Sequence, residues 1–133
     1  MSKLINELIN FKTSYTKFLE FYDSKNYDMH INIFEELPIE FQIGVIFNFL
    51  DTHNICISIL RESQLLVRDA DIGTDYDVYY WMYMVDKKDR SYTDTFICGG
   101  YYDEEKHESV YTYLECVHEA LIEAFKLLDK APH

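Results

Sequence analysis

A chain of 133 residues, 48% hydrophobic and 17% aromatic, has the length of one domain and enough apolar surface to offset the entropy of ordering it, which excludes a disordered segment. Its formal net charge of −12, from 24 acidic and 12 basic side chains, excludes direct binding to DNA or RNA by counterion replacement, which needs lysine and arginine against the phosphates. That charge fits either a solubility coat or a partner with a basic surface.

From Lys3 to Tyr22 the apolar positions Leu4, Leu8, Phe11, Tyr15, Phe18 and Tyr22 recur at helical spacing, so one amphipathic helix is expected there, with Ser2 placed to cap it. Asp23-Ser24-Lys25-Asn26 ends it with turn-forming side chains. Tyr27 to Glu36 reads as a loop, with an edge strand over Met29, Ile31 and Ile33 as the alternative.

The stretch from Leu37 to Leu60 organises the rest. Pro38 suits a first helical position, because its missing N–H would go unpaired there anyway. Ile39, Ile43, Ile46 or Phe47, and Leu50 make one apolar face, and Phe41, Val45 and Phe49 a second, so this helix must be covered on two sides. After Asp51-Thr52-His53, Asn54 is suited to the left-handed conformation that closes a helix. Ile55, Ile57 and Ile59 then alternate with Cys56, Ser58 and Leu60, so the period falls from 3.6 to 2 and a strand begins. Leu65 and Leu66 either extend it or start the next, and Asp69 to Asp75 is a turn by composition.

The strongest strand is Asp77 to Val85. Val78, Tyr80, Met82 and Met84 share one side, and Tyr79, Trp81, Tyr83 and Val85 the other, which demands a central place in the sheet or a covering partner. A polar turn at Asp86 to Ser91 leads to a third strand, Tyr92 to Cys98, ending at Gly99-Gly100. Asp103-Glu104-Glu105 is expected to open the last helix, where the dipole favours negative charge. Val110, Tyr113, Leu114, Val117, Leu121, Ala124, Phe125 and Leu128 form its apolar stripe, with Glu115, Glu119 and Glu123 in a row of like charges opposite. The fold class expected is α+β: a three-stranded antiparallel sheet flanked by helices in the order α-α-β-β-β-α, within a single domain over 1–133. Residues 1–36 supply the N-terminal helix and loop, and residues 37–133 the α-β-β-β-α core.

No constellation for catalysis is present. Glu115 and His118 make an E-x-x-H pair on one helical face, but a di-iron site needs a second such pair and further glutamates, so no metal and no cofactor are expected. Cys56, Cys98 and Cys116 are an odd, widely spaced set, which fits reduced thiols buried as small apolar groups in a cytoplasm. Cys98 stands before two glycines and an acidic run, the wrong environment for a nucleophilic thiolate. The first residues, MSKLINELINFK, mix apolar with polar side chains and make neither a signal segment nor a membrane span.

From Pro38 onward the order of elements is similar to that of a double-stranded-RNA-binding domain. That family reads RNA through basic residues opening its last helix; Glu104, Glu105, Lys106, His107 and Glu108 stand there instead, so direct RNA binding in that mode is not expected. The runs LPIEFQ from Leu37, FNFLD from Phe47, ICISI from Ile55 and EALIEAFKLL from Glu119 resemble small phage and mobile-element proteins of Bacteroidetes-type bacteria, from Leu37 onward. The resemblance implies a non-enzymatic anti-defence protein in the bacterial host cytoplasm. Its partner would be a basic nucleic-acid-processing protein, most concretely a CRISPR RNA-guided nuclease whose cationic channel is occupied in the manner of several anti-CRISPR proteins. Asp71, Asp75, Asp77, Asp103, Glu104, Glu105 and Glu108 would face that partner, with Tyr79, Tyr80 and Tyr102 as apolar anchors. Two alternatives stand beside this: the rings simply cover the sheet, or the two-sided apolar strand and helix close a homodimer without inhibitory activity.

Overall fold

The computed structural model describes residues 3–25, 34–66, 76–87 and 95–130. Their elements run α1 (Lys3–Leu8), α2 (Lys12–Ser24), α3 (Ile39–Asp51), β1 (Ile55–Leu66), β2 (Tyr76–Lys87), β3 (Thr95–Gly99), β4 (Tyr102–Asp103), β5 (Glu108–Ser109) and α4 (Tyr113–Lys130). Ser2, the Tyr27–Ile33 part of the loop, the turn at Asp69 to Asp75 with its candidate residues Asp71 and Asp75, Ser91, Tyr92 and Asp94 lie outside the described residues.

The central reversal forms as its composition dictates. Pro38 (φ −52, ψ 142) is the N-cap of α3 rather than its first helical residue, and its carbonyl accepts the N–H groups of Phe41 and Gln42. The buried Gln42 amide donates to the carbonyls of Glu35 (3.0 Å) and Leu37 (2.8 Å), fixing the angle at which the chain enters the helix. Both apolar faces are used: Ile46 and Leu50 on one side, Val45 and Phe49 on the other, are buried, leaving Phe41 exposed at the first turn. Asn54 takes the left-handed conformation (φ 60) and the chain passes directly into β1.

The N-terminal helix expected over Lys3 to Tyr22 is instead two helices, broken at Ile9 to Phe11. Leu4, Ile5 and Leu8 are buried before the break and Ser14, Phe18 and Tyr22 after it, with Phe11 and Tyr15 half-buried against the same core. Phe11 gives α2 no side-chain cap. Asp129 of α4 supplies one from across the fold: its Oδ1 accepts the Ser14 N–H at 2.7 Å, a contact that satisfies an otherwise orphaned helix-start donor and contributes on the order of 1 kcal/mol. The Ser14 hydroxyl lies within hydrogen-bonding reach of both the Phe125 carbonyl and that same Asp129 oxygen.

The sheet is antiparallel in the order β1-β2-β3, so the strand that is apolar on both sides is central, as expected. The α-α-β-β-β-α order holds, with the first helix in two pieces and a small hairpin inserted before the last. Pairing places Ile57, Val85 and Ile97 in one row and Ile59, Tyr83 and Gly99 in the next. This face meets α3 and α4, with α1 and α2 packed on α4. At the centre Phe18, Phe49 and Phe125 meet edge to face, 5.4 and 6.0 Å between ring centroids.

The acidic run does not open the last helix. Asp103 Oδ1 accepts the N–H groups of Glu105 (3.0 Å) and Lys106 (3.2 Å), His107 turns left-handed (φ 55), and the chain returns as β5. A short polar side chain that bonds its own loop favours a turn over a helix. The start of α4 is a capping box nine residues after Asp103: Glu115 Oε1 accepts the Thr112 N–H at 3.0 Å, and Thr112 Oγ1 accepts the Glu115 N–H at 3.2 Å. The thiols are also corrected in part. Cys116 is buried, but Cys56 and Cys98 are exposed on the sheet face turned away from the helices.

Candidate docking surface

β1 and β2 pair over twelve residues each, Ile55↔Lys87 to Leu66↔Tyr76, a ribbon about 40 Å long at the usual strand rise. The helix layer is shorter. Trp81 packs against Tyr113, the first residue of α4, with ring centroids 5.1 Å apart, so everything beyond Trp81 overhangs the start of that helix. On the helix side of the overhang the pairs are Arg61↔Trp81, Ser63↔Tyr79 and Leu65↔Asp77. Leu65 is 58% exposed and Tyr79 55%; next to Trp81, Tyr113 and Leu114 are 49% and 48% exposed. Tyr79 and Leu65 stand successively further out along the ribbon from Trp81, and Tyr113 and Leu114 open the helix beside it; exposed apolar side chains strung along one face in this way mark a contact site. The Arg61 guanidinium lies over two of its rings, 5.5 Å from the Tyr79 centroid and 5.4 Å from that of Trp81, showing that those π-faces already hold a cation.

Carboxylates border the patch. Asp77 shares its side of the ribbon, and beyond Leu114 an open groove of about 260 Å³ is lined by Glu7, Tyr111, Leu114, Glu115, His118 and Glu119. His118 Nε2 is 2.8 Å from Glu7 Oε2, tying α4 to α1. The histidine of the E-x-x-H pair is therefore engaged with α1, while its glutamate caps its own helix. Partial burial, then Glu119, Cys116, Tyr101 and Glu115, raise the Tyr111 phenol above its ordinary value. Burial with Glu123, Tyr111, Glu119 and Cys116 pushes Tyr83 up to about 12. Burial and Glu119 push the Cys116 thiol up to about 11, which keeps it protonated and unreactive.

The β4–β5 hairpin sits against β2 where β3 has ended. The Trp81 N–H donates to Ser109 Oγ (3.0 Å), which donates to the Tyr111 carbonyl (2.7 Å), and the Val110 N–H donates to the Tyr101 carbonyl (2.9 Å). Of the residues singled out from sequence, Asp77 and Tyr79 share the overhang. Tyr80 projects from the opposite face, opposite Glu62, and is half-buried. Tyr102 and Asp103 are half-buried in the hairpin, and Glu104, Glu105 and Glu108 are exposed on it. Loss of hydration, then Tyr76, Asp103 and Glu104, raises the Tyr102 phenol. The candidates thus divide between the overhang, its reverse side and the hairpin.

The contributions of Arg61, Leu65, Tyr113 and Leu114 depend on strand register and on where α4 begins. Only the second was visible, in the Thr112-x-x-Glu115 spacing. Among the described residues no group of three or more His, Cys, Asp or Glu side chains could hold a metal ion, and no helix is long and apolar enough to cross a membrane. No protein-family model, curated protein or solved structure matches this chain.

Proposed function

We propose that this chain is a non-enzymatic binding protein that docks its ring-bearing, acid-bordered overhang on the basic surface of another macromolecule. The observation that carries this reading is the exposure of Leu65 and Tyr79 along the overhang and of Tyr113 and Leu114 at the start of α4, beside Asp77 and the glutamates of the α1–α4 groove. Rings supply rigid apolar area at a contact's centre, and the carboxylates select a cationic partner and speed the encounter. In its most concrete form, suggested by the resemblance to phage and mobile-element proteins, the partner is a CRISPR RNA-guided nuclease and the outcome is its inhibition.

The test is target cleavage by a purified RNA-guided nuclease from the same cells, with increasing amounts of this chain, at low and high ionic strength. Cleavage is expected to fall with added chain at low salt and to recover at high salt, because solvent-exposed charge pairs are screened. Unaffected cleavage at low salt would remove the nuclease as partner, and inhibition indifferent to salt would remove charge as the basis of docking.

Self-association has a narrower footing in the opposite sheet face, where Leu60, Met82 and Met84 are half-buried and Phe96 is 54% exposed. Bringing two chains of net charge −12 together opposes it.

A further inference from the structure

The mode of docking is also written into the sheet. Among the described residues β1 is the outer strand of the order β1-β2-β3 and pairs with β2 at every residue from Ile55 to Leu66 without a bulge. An outer strand turns alternate N–H and C=O groups away from the sheet, and proteins blunt such edges with proline, lysine or a bulge. The sequence ICISILRESQLL has no proline and no lysine. Its one basic side chain, Arg61, is folded over the Tyr79 and Trp81 rings. The two halves of the strand differ. Ile55 to Ile57 border α3 across a cavity shared with Phe47, Asn48, Leu50 and Asp51, and Ile57 to Leu60 are half-buried. In the second half Arg61, Ser63, Gln64 and Leu65 are exposed, Glu62 is half-buried and Leu66 is buried, and this half lies directly beside the overhanging rings.

We infer that the partner contributes an extended, basic segment that adds as a fourth strand along Arg61–Leu66. Strand addition takes its affinity from main-chain hydrogen bonds and its selectivity from alternate side chains. Six residues of β1 offer an edge about 20 Å long, and side chains on the helix-facing side of the added strand would neighbour the Arg61–Tyr79–Trp81 stack. Charge decides between the two occupants such an edge accepts: a second copy would bring another net charge of −12, whereas a lysine- or arginine-bearing segment is attracted. This inference rests on the docking reading above and specifies its backbone geometry.

Amide hydrogen exchange of the full chain, followed by NMR, tests it with an octapeptide of alternating lysine and valine as probe. An octapeptide of alternating lysine and proline carries the same charge but lacks half its N–H groups. The lysine–valine peptide is expected to slow exchange at alternate residues within Arg61–Leu66 by roughly tenfold or more, and the lysine–proline peptide to leave it unchanged. Shifts at Tyr79 and Tyr113 without protection in that segment would overturn strand addition while leaving the docking surface standing. Protection that grows with protein concentration and needs no peptide would assign the edge to a second copy and overturn the proposal. Silence toward both peptides would remove the docking reading as well.

Discussion

Replacing Phe49 with alanine is expected to destabilise the fold by about 4 kcal/mol, the upper part of the range for deleting a buried aromatic ring. Phe49 has no exposed surface, and its ring meets four others: Phe18 at 5.4 Å, Phe21 at 5.6 Å, Phe125 at 6.0 Å and His53 at 5.0 Å. Those partners belong to α2, α4 and the corner that leads into β1. The vacated space is thus walled by three separate segments, and no single segment can close it by shifting alone. Urea unfolding should show a lower midpoint with an unchanged slope. A loss below about 1 kcal/mol would mean that the helices collapse freely onto the gap and that Phe49 is not the pivot of the core.

Gly100→Ala is expected to cost about 3 kcal/mol, because two effects coincide at one residue. Gly100 sits at φ +106, where a side chain is strained whatever the space around it. A Cβ there would also stand 2.4 Å from the Trp81 carbonyl oxygen and 2.8 Å from the Met82 Cα. Both are backbone atoms of the central strand and cannot swing aside. The neighbouring Gly99 differs in kind: its Cβ would meet the buried Tyr83 ring, with the hydroxyl at 2.6 Å and Cζ at 2.7 Å, side-chain rather than backbone atoms. Trp81 is the only tryptophan; its backbone N–H donates to Ser109 Oγ of the hairpin and its ring packs on Tyr113, so its fluorescence follows any shift of the strand against the hairpin and helix. The Gly100 variant should shift that emission in the folded state as the hairpin is pushed off β2. An unchanged spectrum together with unchanged stability would contradict the close approach.

The helix–corner–strand stretch was readable because each signal in it is local: Pro38 presets its own φ, Asn54 tolerates the left-handed region, and the isoleucine period changes within a few residues. The central place of β2 followed from apolar side chains on both of its faces. Longer-range causes were not readable. The break between α1 and α2 is held by Asp129, 115 residues from its Ser14 partner, and no window on the N-terminal pattern contains it. The acidic run around Asp103 reads by its own composition as a helix start. The Thr112–Glu115 box that opens α4 instead begins nine residues downstream. Tyr79 and Tyr80 are adjacent in sequence and belong to opposite faces, so the period-2 alternation already separated them. Arg61 reaches the same rings only through its pairing opposite Trp81, a register that composition does not specify.

The rings of the overhang are the centre of the proposed contact with a cationic partner. Calorimetric titration of an RNA-guided nuclease, the proposed partner, with Tyr79→Ser and Tyr113→Ser variants, beside Phe41→Ser and Phe96→Ser as controls at similarly exposed rings elsewhere, tests this most directly. The first two substitutions are expected to weaken binding by roughly tenfold or more each, as at the centre of an interface, and the controls to leave it unchanged. Equal losses at all four positions, or none at Tyr79 and Tyr113, would contradict the account.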